Sequence, residues 1–440
     1  MPRFPTLPLF KISGRESDKS VFGVGAACTL LLMPSLYALL TFQTVPDFQL
    51  TLRSLAIPVR VAEAVIVLIA MADGFSLAES WRRLDRFTRF AAVLWLASVV
   101  VAAAFAPFDR AVAIALALGT LLHGVTALAL FDRLRERECA ADLIIAGSWG
   151  LAGYAILAAV CAVLLSHVAG FPWYYFGVGV SNVRQIGFYG LPVFGAALGL
   201  IAGGGPDGRR IMPVILLIAG IFLVCWSGGR AALAAAIVAL LASLAIAEPR
   251  ARWRVIAMVV VAVAVVFPVV QALSFDPLWG FDSLRRVVPE AGVRGMDEYS
   301  SSRLQLWRWT LQAIVAQPWL GHGEGQFSTM IFARSGVFYN HPHNVVLQIL
   351  YEWGIPGLAA IAALVGRVLW PLRSLGRSAC TANAPAACGF MGLAAMSVLE
   401  GALYHPLPIL FALLFLAAIA TGSPQRATGV SVQGGSSSNS

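Results

Sequence analysis

Charge is what this sequence has least of. Only 12% of its 440 residues are Asp, Glu, Lys or Arg, 59% are hydrophobic, and the mean hydropathy is +0.80. Soluble chains carry roughly 25% charged and about 45–50% apolar residues, so this chain cannot clothe a soluble surface of its size. Its apolar residues fall in long runs nearly free of charge, each close to the ~20 residues that cross ~30 Å of hydrocarbon as a helix. Cysteine is sparse and scattered, at Cys28, Cys139, Cys161, Cys225, Cys380 and Cys388. The longest polar segment has none, which argues against a disulfide framework. No repeat at a fixed period is present, so a solenoid is excluded. Acidic residues within the apolar runs are few, at Glu63, Glu352 and Glu400, all in the outer halves of their runs. A proton- or ion-coupled transporter would place carboxylates near the midplane and break its helices in matched halves.

What is present is a succession of membrane-length runs. Windows of about 19 residues place spans near 21–42, 55–74, 90–106, 111–131, 141–165, 187–203, 211–226, 231–247, 255–273, 344–366, 386–403 and 406–422. The expected fold is an all-α polytopic membrane protein of about twelve transmembrane helices, with one large periplasmic loop containing an amphipathic helix. Residues 1–20 form a cytoplasmic N-terminal segment, 21–273 hold spans one to nine, 274–343 form the loop, 344–422 hold spans ten to twelve, and 423–440 form a disordered cytoplasmic tail rich in Gly and Ser. The first run is too long for a signal-peptide core and lacks a clear cleavage site, so it reads as a retained span. Twenty of the 31 basic residues fall on the side shared by both termini, among them Arg82, Arg83, Arg86, Arg89, Arg133, Arg135 and Arg137. The positive-inside rule makes that side cytoplasmic. The net charge of +9 is thus mostly topology and headgroup attraction, and no nucleic-acid partner is needed to explain it.

The other eleven basic residues have no topogenic reason to exist. They are Arg53, Arg60, Arg110, Arg184, Arg230, Arg285, Arg286, Arg294, Arg303, Arg308 and Arg334, and most fall in the loop at 166–186, the turn at 227–230 and the segment 274–343. Within the last, helical periodicity from about 301 to 316 sets Leu304, Trp307, Leu311, Ile314 and Val315 on one stripe, with Ser300, Ser301 and Ser302 as N-cap candidates and Pro318 as the stop. Such a helix suits the outer membrane–water interface. Arg303 in its first turn opposes the helix dipole by roughly 0.3–1 kcal/mol, a penalty that a bound anion would reverse. Arg230 follows Ser227-Gly228-Gly229 and starts the next helix, so a guanidinium fork and exposed N–H groups point to one place, which suits a phosphate. The competing reading for both arginines is a side chain reaching to lipid headgroups.

Five of the six histidines, His167, His322, His341, His343 and His405, map to outer loops or outer span ends, and His123 lies mid-span. His343, in His341-Pro342-His343-Asn344, stands at the mouth of the tenth span, where an imidazole can accept a proton from a hydroxyl near neutral pH. A metal site of His322, His341 and His343 is the rival, although no acidic or Cys ligand has zinc spacing. A capping or interfacial histidine is the third reading.

At this point the sequence resembles the bacterial O-antigen ligase and O-antigen polymerase superfamily. Three matches carry the resemblance. They are Ser227-Gly228-Gly229-Arg230-Ala231-Ala232-Leu233; Arg303-Leu304-Gln305-Leu306-Trp307 followed by Pro318-Trp319-Leu320-Gly321-His322-Gly323; and His343-Asn344, nine residues on, Gly354-Ile355-Pro356-Gly357. Together they span residues 227 to 357, and the first 180 residues match in topology alone.

The resemblance implies a metal-independent membrane glycosyltransferase with no cofactor, acting on undecaprenyl-diphosphate-linked glycan. It implies Arg230, Arg303 and His343 as catalytic residues, with Arg184, Gln185, Asn344, His341 and His322 on the substrate side. Arginines would stabilise the charge that builds on a departing diphosphate, and a single displacement would invert the anomeric centre. Gly354 and Gly357 are expected to serve helix packing. The implied reaction is that of an O-antigen ligase in the bacterial inner membrane, joining O-polysaccharide to a lipid A–core acceptor. A repeat-unit polymerase or a protein O-oligosaccharyltransferase would share its chemistry. A glycolipid flippase is the rival of another class, and it predicts activity surviving loss of His343.

Overall fold

Each apolar run becomes a helix, and the helix ends fall where the sequence changes character. The computed structural model describes residues 20–41, 48–173, 176, 178–203, 211–275, 279–281, 303–373 and 377–422, and every regular element among them is helical. The elements are α1 (Val21–Leu40), α2 (Phe48–Ala72), α3 (Leu77–Arg83), α4 (Arg86–Ala104), α5 (Arg110–Arg137), α6 (Ala140–Leu165), α7 (Gly187–Ala202), α8 (Ile211–Trp226), α9 (Arg230–Ile246), α10 (Pro249–Ala272), α11 (Arg303–Ala316), α12 (Phe327–Ser335), α13 (Val345–Leu369), α14 (Arg377–Glu400) and α15 (Pro406–Thr421). Short polar residues start them. Asp85 accepts the Thr88 amide at 2.9 Å, Asp109 accepts that of Val112 at 3.0 Å, and Ser20 accepts that of Gly23 at 3.0 Å, each satisfying an amide that has no partner within its helix. The cytoplasmic segment 1–19, the candidate caps Ser300 to Ser302, Arg285, Arg286, Arg294 and the tail from 423 lie outside the described residues.

Seven helical stretches are long and apolar enough to cross a membrane, or eight if the pair Ala56–Ala72 and Leu77–Arg83, bent by 85°, is one span. The chain is a multi-pass helical membrane protein. Three further apolar helices, α8, α9 and α15, have 16 or 17 residues. At 1.5 Å per residue they reach only about 24–26 Å, so the helices do not by themselves establish the expected twelve crossings. The segment read as a cytoplasmic loop after the second run contains α3. Arg83 on it pairs with Asp132 at 3.1 Å and Glu136 at 2.6 Å, while Arg133, buried at 3% exposure, pairs with Asp132 and Asp73. Some arginines counted for topology therefore also clamp helices together.

The largest core gathers α1, α2, α5 to α10, α14 and α15 around α7, all sixteen residues of which are buried. Since lipid is as apolar as these side chains, close backbone packing holds such helices together. Gly195 of α7 illustrates it, for a Cβ there would lie 2.6 Å from the backbone of Gly389 in α14. Two smaller cores stand apart. One joins Leu306, Ala313 and Ile314 of α11 to Phe327, Met330 and Ile331 of α12 and Tyr351 of α13. The other packs Val99 and Ala103 of α4 on Ala113 and Ala117 of α5, with Trp95 and Trp353 edge to face at 6.3 Å. The face of α11 buried in the protein is Leu306, Thr310, Ala313 and Ile314, which shares Ile314 with the stripe read from the sequence. Leu311 and Val315 of that stripe point away from the core and are exposed, so α11 carries a second apolar face beside the one packed on α12 and α13.

The break in α13 shows what Gly354 packs against. This residue takes φ 69° and ψ −172° inside the helix, and Pro356 has no N–H to offer, so the carbonyls of Tyr351 and Glu352 lose their helical partners. The loop after α11 supplies them: His322 N–H donates to Tyr351 O at 2.7 Å and Gly323 N–H to Glu352 O at 2.9 Å, while Ile355 N–H donates to Pro318 O at 2.8 Å. Two of the three sequence matches are thus the halves of one interlock, in which the 318–323 backbone is inserted into a broken helix. A Cβ at Gly354 would lie 2.5 Å from Trp319 O.

Candidate functional site

Four chain segments converge at one pocket, lined by Arg184, Gly228, Gly229, Arg230, Ala231, Arg303, Met396 and Glu400. Arg184 lies in a short 3-10 turn, Val183–Ile186, before α7. Its loop is fastened from below by Tyr154 and Tyr189, whose hydroxyls donate to Val178 O at 2.7 Å and Gly179 O at 2.6 Å. Arg230 is the first residue of α9, and the Gly229 cap carries no side-chain acceptor. Ser227 shapes the preceding turn by accepting the Gly229 amide at 3.2 Å and donating to Val224 O at 2.7 Å. Arg303 is the first residue of α11, and Glu400 is the last of α14. Two helix starts thus carry a cation and one helix end an anion. Each charge opposes its own helix dipole by roughly 0.3–1 kcal/mol, so these residues are placed for one another or for a ligand, not for helix stability.

Glu400 organises the pocket. Its carboxylate accepts a hydrogen bond from the Arg303 guanidinium and lies 3.3 Å from His343 Nδ1. That approach is close enough for ionic attraction but too bent for a well-formed hydrogen bond. The side chains of Arg303, His343 and Glu400 are 26%, 25% and 15% exposed, so solvent and ligand can reach them. His343 does not line the pocket itself and joins it through Glu400. With Nδ1 turned to the carboxylate, Nε2 is the nitrogen left for an incoming group.

His343 is held in an unusual backbone state. Its φ of 55° is one of only two positive values at non-glycine positions among the described residues, and such a conformation costs about 1–3 kcal/mol. Its neighbours anchor it: Trp307 of α11 donates Nε1–H to Pro342 O at 2.8 Å, and Asn344 caps α13 by accepting the Val346 and Leu347 amides at 3.0 and 3.1 Å.

The structure brings together Arg184, Arg230, Arg303 and His343, and the remaining sequence candidates make local contacts, three beside that site and His322 in the α13 interlock. Asn344 spends its carbonyl on the cap. Gln185 is buried and accepts the Ser181 amide at 3.0 Å, shaping the Arg184 loop. His322 stacks flat on Tyr351, with ring centroids 4.5 Å apart and planes 3° apart, inside the α13 interlock; burial pushes its pKa down. His341 lies buried behind His343, with its ring on Tyr404. Glu400 is the functional candidate that no sequence motif marks. The available signal was an anion closing an apolar helix on the side where unexplained arginines accumulate. Among the described residues, no group of three or more His, Cys, Asp or Glu is placed to hold a metal ion.

A second polar cluster lies away from the pocket. His123 Nδ1 sits 2.6 Å from Glu63, and Glu324 in the loop after α11 accepts Thr120 Oγ1–H at 2.9 Å and Trp353 Nε1–H at 3.2 Å. Gln326 completes it by bonding Asp109 N–H at 2.8 Å and Asp109 O at 2.8 Å. The Glu324 and Gln326 contacts tie the α11–α12 loop to α5 and α13, and the His123–Glu63 contact joins α5 to α2.

Comparison with known proteins converges on the same stretch of chain. No curated protein matches the sequence. Residues 215–362 match the family model described as O-antigen ligase, a region that holds Arg230, Arg303, His343 and both halves of the α13 interlock. That match covers about a third of the chain, and over it the sequence is similar to the O-antigen ligase family.

Proposed function

We propose that the protein is an O-antigen ligase that transfers O-polysaccharide from undecaprenyl diphosphate to lipid A–core at the periplasmic face of the inner membrane. The supporting observation is the convergence of Arg184, Arg230 and Arg303, far apart in sequence, on one pocket whose carboxylate also faces His343. Guanidinium forks match phosphate oxygens in pairs, and the α9 start, with no capping side chain, adds backbone N–H groups of the kind that bind anions. In this reading the donor diphosphate sits among the arginines. His343 Nε2 takes the proton of an acceptor hydroxyl as its oxygen attacks the anomeric carbon. The bond from that carbon to the phosphate oxygen breaks, its electron pair leaves with undecaprenyl diphosphate, and the configuration inverts. Glu400 stabilises the imidazolium that forms. The arginines carry the compensating charge, so the reading requires no divalent ion. It also includes twelve crossings with both termini cytoplasmic, which puts the pocket at the outer face.

The test is a deletion strain complemented with wild type or His343→Ala. The expected result for the variant is bare lipid A–core on gels, with long polymer accumulating on undecaprenyl diphosphate. Core bearing a single repeat would identify a polymerase instead. Normal lipopolysaccharide from His343→Ala would refute the role of His343, as full activity in both Arg230→Ala and Arg303→Ala would refute the diphosphate clamp. In a purified assay activity should survive EDTA, and loss on chelation with recovery on a divalent ion would overturn the arginine-only account.

A further inference from the structure

His343 keeps its left-handed backbone against a cost, so something must hold it there. Its own N–H donates to His341 Nδ1 at 3.2 Å. That nitrogen can accept only if it carries no proton, which places the ring proton of His341 on Nε2. His341 is itself locked. It is 5% exposed, it stacks on Tyr404 with centroids 4.5 Å apart and planes 24° apart, and it meets His405 edge-on at 5.7 Å. Gly401, at φ 73°, makes room for it, since a Cβ there would lie 2.7 Å from His341 Nδ1. Burial, together with the charges of His343, His405 and Arg303, holds the His341 pKa well below its ordinary value. Both the received N–H and the burial favour the neutral ring, with Nδ1 as acceptor.

The turn that seats His341 is the same turn that delivers Glu400. Glu400 ends α14, Gly401 and Tyr404 follow within four residues, and Gly401 also packs near the His343 backbone. One short stretch, 400–405, thus fixes the backbone of His343 through His341 and faces its side chain with a carboxylate.

We propose that His341 is a positioning residue rather than a substrate ligand: as a neutral backbone acceptor it holds His343 in the left-handed conformation that turns Nδ1 to Glu400 and leaves Nε2 for the acceptor hydroxyl. This rests on the reading of His343 as the base.

The test compares two variants of the full-length protein in nanodiscs. His341→Phe keeps a ring on Tyr404 but has no acceptor; His341→Asn can place Oδ1 near the Nδ1 position and keep one. With purified lipid-linked donor and lipid A–core, His341→Phe should lower kcat about tenfold to a hundredfold with donor KM held, the scale of a small misplacement of a reacting group. His341→Asn should recover most of that loss. Independently of turnover, hydrogen exchange at the His343 amide should accelerate in His341→Phe and stay slow in His341→Asn. A raised donor or acceptor KM with kcat intact would make His341 a substrate contact and overturn the proposal. So would unchanged amide exchange in His341→Phe, or equal kcat losses in both variants. If His343→Ala proves fully active the ligase reading fails on its own, and amide exchange still reports whether His341 holds that backbone.

Discussion

Replacing Glu400 with Gln removes one charge and almost no volume, and its effect can be worked from the geometry. The carboxylate lies 3.3 Å from His343 Nδ1. At that separation Coulomb's law gives about 5 kcal/mol for an effective dielectric constant of ~20 and about 1 kcal/mol for ~80. The partners are partly exposed, and Arg303 shares the same carboxylate, so the stabilisation of an imidazolium falls between these limits. A loss of about 3 kcal/mol in the transition state corresponds to about a hundredfold in kcat. Donor binding should respond in the opposite sense, because Glu400→Gln releases Arg303 from its competing partner, so KM for the lipid-linked donor should hold or fall. The assay is steady-state transfer with purified donor and lipid A–core, accompanied by a melting curve showing that the variant is folded. Glu400→Asp, which keeps the charge on a shorter arm, should retain more kcat than Glu400→Gln. An unaltered kcat in Glu400→Gln, or a raised donor KM with kcat intact, would refute the assignment of Glu400 to the transfer step.

Two further outcomes concern stability. Gly354→Ala should lower the thermal midpoint in detergent by forcing a left-handed non-glycine residue, at about 1–3 kcal/mol, against the Trp319 carbonyl; an unchanged midpoint would mean the α13 interlock is looser than its hydrogen bonds imply. Acidification should also destabilise the fold: burial pushes the His405 pKa down to about 3, so between that value and ~6.5 the unfolded chain binds a proton that the folded one refuses. Stability should therefore fall as pH drops below ~6.5, by about 2 kcal/mol at pH 5 from this residue, and His405→Phe should flatten the dependence; a midpoint that ignores pH in wild type would contradict the buried neutral ring.

Helix positions were legible because apolar run length and helix length are the same physical quantity. The run read at 211–226 is α8 to the residue, and that at 141–165 is α6 less its first residue. Arg230 and Arg303 stand out in the sequence as cations that the positive-inside pattern leaves unexplained, and the fold brings both to one pocket. Pairing was not legible. Sequence gives the depth of Glu400 along its helix but not which neighbour that helix turns toward, so its contacts with Arg303 and His343 required the fold. The break at Gly354 was hidden because its compensating amides, on His322 and Gly323, lie about thirty residues upstream. The substrate-side candidates Gln185 and Asn344 also have a local use that needed the fold. Both are polar and near the site, yet each spends a side-chain oxygen on the local backbone, a use that motif spacing cannot separate from ligand contact.

The order of the converging residues along the chain has a consequence for biosynthesis. Arg184 is made first, then Arg230, Arg303 and His343, and Glu400 with the turn behind it last. A ribosome feeding this chain into the membrane therefore delivers the three pocket arginines well before the carboxylate and the seat of His341. On the proposed reading, a nascent chain can attract lipid-linked glycan but cannot transfer it until the fourteenth helix is in place. Truncated products of interrupted translation would be inert as catalysts.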